Sequence, residues 1–438
     1  MLIAIAALIL LSVFLIKRLS LRKPILPTHK QIVFTGNAYL PAISPDGKFI
    51  AYVNHENYDE QKVMIQDIVN GQEIEVFSGQ EFSYELRWLP DGSELSVCGG
   101  KDDDWAIFVV TRLGGTVRRL KYAPYFAWSP DGSQIAKIWM ASKEITITNE
   151  SSGETTSIPL KGSFTFIKGI DWSPANNFLL FLTSDDEERY AIWAISTDGT
   201  TQRMVVEDDV PLFSPRWSPR GDAIYYFRRK GLLKDLWKIP VSSDTGNPIK
   251  PASLVLSDLQ AGDFFTFTSE GTKMLYTREI RSSNLWLATI EGSGKDQKVK
   301  TKQLTRSTLW NKYPSISPDG KKVAVYWNRR PSRGLWVFPI EDSSQAFLLK
   351  ENAYPVGWSA DGKWIYAAEE ISGTLKIFKI SIKGNQTKII LTIPFTLEQG
   401  WPKYEYVSMI PDGKKFVFPV YKYHSDVWMV ENFDQEMR

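Results

Sequence analysis

The stretch "SISPDGKKVAVY", Ser315–Tyr326, decides the fold. It reads as a strand, a tight turn and a second strand. Its core, Ser-Pro-Asp-Gly, recurs at Ser44–Gly47 and Ser129–Gly132. Aligning weaker copies on the turn glycine gives Gly47, Gly92, Gly132, Gly221, Gly271, Gly320, Gly362 and Gly413, and "WSPANN" puts Asn177 in the same slot. The nine copies are spaced 40 to 51 residues apart, the range of four-stranded propeller blades.

The turn has a plain physical basis. Proline sets φ for the first corner, aspartate tolerates the second and bonds nearby backbone, and glycine takes the positive-φ position that follows. Such a turn joins two antiparallel strands. Asparagine is the next-best residue for positive φ, which accounts for the Asn177 copy. The residue before each turn is apolar: Ile43, Trp88, Trp128, Trp172, Trp217, Phe267, Ile316, Trp358 and Met409. So is the residue three after the turn glycine, from Ile50 and Leu95 to Ile365 and Phe416. A third strand is marked by an apolar–aromatic pair, as at Ile192–Trp193, Leu285–Trp286, Leu335–Trp336 and Val427–Trp428. A fourth follows, as in "KQLT", Lys302–Thr305. Four strands and a link make one blade.

The last copy has no room for a fourth strand after Val427–Val430. "HKQIVFTGNAYLPAISPDG", His29–Gly47, parallels "TKQLTRSTLWNKYPSISPDG", Thr301–Gly320, so Gln31–Phe34 is expected to supply it and zip the ring shut. Closure removes a sheet edge open to aggregation. No Gly/Ser linker divides the chain, which favours one ring over two. The expectation is an all-β single closed β-propeller over residues 24–438, with nine blades counted and eight the alternative. An N-terminal transmembrane helix over residues 1–23 precedes it.

The pattern resembles the TolB-type, WD-repeat-like propeller repeat: Trp/Phe-Ser-Pro-Asp-Gly, an apolar strand, an apolar-Trp strand, then Leu-Thr. "FAWSPDGSQIAKI", Phe126–Ile138, and "SSNLWLATI", Ser282–Ile290, carry it. The resemblance covers residues 30 to 432. It is specific for fold and poor for function. The family includes periplasmic envelope proteins, the non-catalytic propellers of serine peptidases, and extracytoplasmic halves of membrane regulators and kinases.

The chain has 438 residues, 16 of them tryptophan, and a formal net charge of +2. Aromatic richness suits a pleated, half-buried surface. Lys17, Arg18, Arg22, Lys23 and Lys30 precede Gln31 with no acid among them, leaving 47 bases against 50 acids in the rest. That is no nucleic-acid footprint, which needs a basic patch or stripe. The single cysteine, Cys98, excludes a disulfide framework and a cysteine-rich zinc site.

Leu2–Ile16, "LIAIAALILLSVFLI", is an uninterrupted apolar run of roughly 22 Å as a helix, read as an uncleaved anchor with snorkelling Lys17 and Arg18. The resemblance implies a bacterial inner-membrane protein with its propeller outside the cytoplasm. The basic "KRLSLRK" flank argues for the opposite orientation.

Chemistry is hard to find. There is no Gly-x-Ser-x-Gly elbow and no Walker-type phosphate loop. His29, His55 and His424 are scattered, and His55 and His424 read as solvated loop residues. Asp46, Asp91, Asp131, Asp319, Asp361 and Asp412 read as turn formers. No catalytic residue, metal or cofactor is expected. Propellers place function in loops. The loops between second and third strands carry Asn54–Lys62 in blade one. Acids follow at Asp102, Asp103 and Asp104 in blade two and Asp185, Asp186, Glu187 and Glu188 in blade four, with Glu207, Asp208 and Asp209 in the next link. Bases follow: Arg228, Arg229 and Lys230, then Arg278 and Arg281, then Arg329, Arg330 and Arg333, before Glu369 and Glu370. An acidic arc opposite a basic arc would steer a protein partner or an anionic envelope polymer. The expected role is therefore a membrane-anchored, non-catalytic binding or scaffolding module. The alternatives are a sensor domain of a membrane-bound regulator or kinase, and a propeller enzyme acting on peptide or polysaccharide.

Overall fold

The computed structural model describes residues 26–438 apart from 58–59, 80, 102–103, 141, 186–188, 232, 292–297, 307–310, 329–331, 372–373, 395–407, 410–414, 435 and 437–438. The fold is nearly all β, built of antiparallel sheets that are mostly four-stranded. Each sheet starts with the strand before a turn copy, so the repeat governs the local structure.

In the third copy, Ser129 Oγ donates to Asp131 Oδ1 at 2.6 Å and accepts the Gln134 amide at 2.9 Å. Asp131 Oδ1 also accepts the Ser133 amide at 3.0 Å. The Gly132 amide closes the turn on Ser129 O at 2.9 Å, with φ of 72°. The same Ser–Asp bond recurs at Ser44–Asp46, Ser317–Asp319 and Ser359–Asp361. Asp46, Asp91, Asp131, Asp319 and Asp361 are thus consumed by their own turns, and Asp412 lies outside the described residues. In the degenerate copy the positive φ falls on Asn176, at 61°, and not on Asn177. Asn176 closes the turn on Ser173 O, while Asn177 accepts the Ser173 hydroxyl.

The chain forms two compact units: residues up to Arg278 with Ser425 onward, and Glu279–His424. In the first, the inner strands are Ala38–Ile43, Glu81–Trp88, Tyr125–Trp128, Phe166–Trp172, Leu212–Trp217 and Ala261–Phe267. Each touches the next, and the sixth touches the first. That cyclic order makes the first unit a six-bladed propeller. Adjacent blades share cores: Leu40, Val53 and Val63 of blade one pack with Phe82, Trp88 and Val97 of blade two. Full burial of each such side chain contributes about 1.5–3 kcal/mol. Two of the tryptophans that wedge between blades have their N–H satisfied next door, Trp88 by Ala42 O at 3.2 Å and Trp128 by Ser96 Oγ at 2.9 Å.

Blade six draws its strands from distant parts of the chain. Its order is Ala261–Phe267, the start of the long strand Lys273–Glu291, the end of the long strand Lys415–Glu431, and Thr28–Gln31. The outer pair runs antiparallel, with Thr28 opposite Glu431 and Gln31 opposite Trp428. Gln31–Phe34 was the stretch expected to pair; the ladder covers Thr28–Gln31, after which the Ile32 and Val33 amides both donate to Val427 O. The second unit holds the sheets that begin at Asn311–Ile316 and Tyr354–Trp358. Its third sheet pairs Ser408–Met409 with one long strand and Lys298–Gln303 with the other.

One undivided ring of nine or eight blades is therefore corrected. The chain passes between units inside two strands, at Arg278/Glu279 and at His424/Ser425, so no linker marks the division. Counting turns also misassigns two third strands. Val427–Trp428 serves blade six of the first unit, and Leu285–Trp286 belongs to the second unit.

The apolar run Leu2–Ile16 lies outside the described residues. Among the described residues no helix is long and apolar enough to cross a membrane, so the expected single-pass inner-membrane placement is withdrawn.

The turn carboxylates link stability to pH. The serine hydroxyls and following backbone amides hold Asp131 and Asp361 below the ordinary carboxylate value. A carboxyl depressed in the folded state contributes stability that is complete above its unfolded value of about 3.9 and drains as pH falls through the folded value. Thermal unfolding from neutral pH to pH 3 is expected to show a falling midpoint below about pH 4. Asp131→Asn is expected to flatten that slope, as read by circular dichroism.

Candidate functional site

The position just before each pre-turn residue lies on an inner strand of the six-bladed unit, and in five of the six blades it is turned to the axis. In blades one to six these residues are Ala42, Arg87, Ala127, Asp171, Arg216 and Thr266. A bulge in the inner strand sets this aim: the ladder slips between Phe82 and Leu86 in blade two and between Phe213 and Arg216 in blade five. Tyr84 and Ser214 take positive φ there, at 71° and 48°. Bulges re-aim side chains in this way beside functional sites.

On the turn side of the axis all of these but Ala127 line a pit of about 260 Å³. Its wall holds Trp88, Trp128 and Trp217 with Pro45, Pro90 and Pro219, and its charged lining is Arg87, Asp171 and Arg216.

Below the mouth the charges lock together. Arg87 Nη1 donates to Asp171 Oδ1 at 2.7 Å, Nε to Glu85 Oε2 at 3.2 Å and Nη2 to Ile170 O at 2.5 Å. Arg216 Nη2 donates to the same Glu85 Oε2 at 3.2 Å. The second Asp171 oxygen accepts the Trp217 amide at 2.8 Å. Blades two and five are opposite members of a six-membered ring, so the Glu85–Arg216 bridge crosses the axis and the pit ends on a floor of side chains. Glu85 is only 2% exposed and Arg216 6%.

The two arginines are not equivalent. Burial opposes the charge of Arg87, but Glu85 and Asp171 outweigh it and hold the guanidinium above its ordinary value. Burial and the neighbouring Arg87 leave Arg216 below its own. Arrangement and chemistry suit a small polar or charged group held between aromatic walls.

Glu85, Arg87, Asp171 and Arg216 were not singled out from sequence, whereas the three wall tryptophans were, as pre-turn residues. The signal was there: "ELRW", "GIDW" and "SPRW" each set a charge beside the aromatic that ends an apolar inner strand. Only the ring shows that the three meet.

The charged-loop candidates are distributed differently. Arg228 and Asp208, from opposite arcs, bond each other at 2.6 and 3.1 Å. Asp104 pairs with Arg119, and Asp185 accepts from Arg189 Nε at 2.8 Å. Arg229 lies over Phe213 and Arg278 over Trp428. Arg278 and Arg281 sit in the strand Lys273–Glu291 and not in a loop. Arg281 and Arg333 belong to the second unit, where Arg333 Nε donates to Asn352 Oδ1 at 3.1 Å and Glu369 lies 3.5 Å from Lys350. Asp102, Asp103, Asp186, Glu187, Glu188, Arg329 and Arg330 lie outside the described residues. His55 and His424 sit in strands and not in loops. Among the described residues no cluster of His, Cys, Asp and Glu is placed to hold a metal.

No family model matches the chain. An uncharacterised peptidase of Bacillus subtilis, YuxL, is 30% identical over 105 residues, which is 22% of this chain and 16% of that protein. The chain thus spans about a sixth of that relative's length. Among solved structures, a prolyl endopeptidase is similar over 88% of this chain and 55% of its own, at 12% identity and a TM-score of 0.38. TolB from Agrobacterium tumefaciens is similar over 70% of this chain and 94% of its own, at 14% identity and a TM-score of 0.25. The expectation that the chain is not an enzyme is overturned by the peptidase-named relative, because repeat turns and missing motifs describe the scaffold and do not exclude an activity.

Removing one partner of a buried charge network leaves the others without compensation. Arg87→Met is expected to cost the first unit about 3–5 kcal/mol, read as a lower urea midpoint. Lys48→Met, at an exposed 3.8 Å pair with Asp46, is expected to cost less than about 1 kcal/mol.

Proposed function

We propose that this chain takes part in peptide processing and that its six-bladed unit receives the peptide in the turn-side pit. The observation that carries this is the lining: three tryptophans and three prolines around Arg87, Asp171 and Arg216. Apolar walls with a few convergent polar groups are what a binding pocket for a mixed apolar and polar ligand needs. A peptide offers both, since its side chains pack on the rings and its polar groups meet the floor. The relative named as a peptidase supports the same substrate class.

Docking of a protein partner on the charged loops is a subsidiary proposal. It is favoured by Arg229 and Arg278, whose guanidinium groups are held over aromatic rings.

Selective labelling can test the pit. Cys98 is buried, and burial followed by the charge of Glu85 pushes its thiol up to about 12, which makes it inert to maleimide. A Pro219→Cys variant at the mouth therefore takes a bulky maleimide at one place. Unlabelled protein is expected to bind fluorescent tryptic casein peptides saturably, and the label is expected to abolish binding. Mass spectrometry of the same mixture reads cleavage. Equal binding with and without the label would remove the pit from the proposal.

A further inference from the structure

We propose that the pit reads the free C-terminus of a peptide, seating its carboxylate on Arg216. This rests on the peptide reading above and narrows it.

Three observations point the same way. The pit is blind. The Glu85–Arg216 contact, at 3.2 Å, joins opposite blades across the axis, so a chain entering from the turn side meets a floor and cannot thread through. An end of a peptide can enter such a site with its backbone, whereas an internal segment can offer it only a side chain.

The unsatisfied capacity in the lining is donor capacity. Every contact that Arg216 makes is 3.2 Å or longer: 3.2 Å to Glu85 Oε2, 3.4 Å to Phe265 O and to Ile170 O, 3.5 Å to Pro215 O and 3.9 Å to Asp171 Oδ1. Its five N–H groups are therefore held loosely. Arg87 is held tightly by contrast.

The acceptors of the lining carboxylate are also fully engaged. The lining carries two guanidinium groups and one carboxylate, and both oxygens of Asp171 already accept, from Arg87 and from the Trp217 amide. An incoming ammonium would find no free acceptor on Asp171. Glu85 Oε1 is buried without a partner, but Glu85 does not line the pit. Guanidinium groups are well matched to carboxylates, which they can bind through two parallel bonds.

The test uses the full chain and one short peptide sequence in four forms: free acid or C-terminal amide, each with a free or acetylated N-terminus. Titration calorimetry reads affinity. The acid is expected to bind about tenfold tighter than the amide, a charge-assisted contact of about 1.4 kcal/mol, and acetylation is expected to change nothing. Arg216→Met is expected to erase the preference. Should that variant fail to fold, Arg216→Lys keeps the charge and removes the two-pronged guanidinium contact. It is expected to weaken the acid by roughly threefold or more, leaving the amide unchanged.

Equal binding of acid and amide overturns the terminus assignment and leaves the peptide reading standing. Loss on acetylation assigns the site to the N-terminus and overturns it too. No binding of any form, or binding of a uronate oligosaccharide in place of all four, overturns both readings.

Discussion

A four-stranded blade of this protein is apolar on both faces, and only another blade can cover it. Everything else in the six-bladed unit follows from that constraint. Side chains such as Trp88 and Phe82 are buried because a neighbour stands on each side. The stack has an end face at either terminus unless it closes, and here the sixth inner strand meets the first. The sheet that completes the ring takes Thr28–Gln31 from one end of the chain and Lys415–Glu431 from the other. The C-terminal segment continues the seal beyond that ladder. Phe433 stacks on Phe267, and Asp434 takes hydrogen bonds from Lys238 and Tyr225.

Closure brings six inner strands to one axis, and this has an electrostatic consequence. A charge at an axis-facing position loses most of its water. Arg87, Asp171, Arg216 and Glu85 are tolerated there because each is paired. Such a network adds little net stability over an apolar plug of the same size, while its loss in part is costly. What it supplies is a fixed polar floor under aromatic walls. A site of that kind needs no loop to order on binding, since its groups stand on strands held by the blades. Strands hold functional groups in position better than loops do.

The two long strands deserve a physical account as well. The hairpin from Lys273 onward does not end after one blade's width, and Lys415–Glu431 matches it from the other side. One strand pair thereby enters both compact units. Each unit keeps its own buried cores, Leu285 and Val417 in one and Leu275 and Val427 in the other. Nothing in the sequence of "KMLYTREIRSSNLWLATIE" marks where one unit stops, because both halves are strands with apolar faces to bury.

What the sequence determined by itself was local. Serine, aspartate and glycine at fixed offsets specify a turn that satisfies its own hydrogen bonds, and the apolar residues around it specify a hairpin with a face to bury. Those interactions span a few residues, so they can be read along the chain, even though the Asn176 slot was misplaced by one. The tertiary structure alone decided which hairpins share a ring, where Val427–Trp428 and Leu285–Trp286 belong, and that Glu85, Arg87, Asp171 and Arg216 meet. Glu85 and Arg216 are 131 positions apart along the chain and 3.2 Å apart in space. Their meeting depends on how many blades close the circle, and that number is set by packing between sheets, which no single repeat encodes.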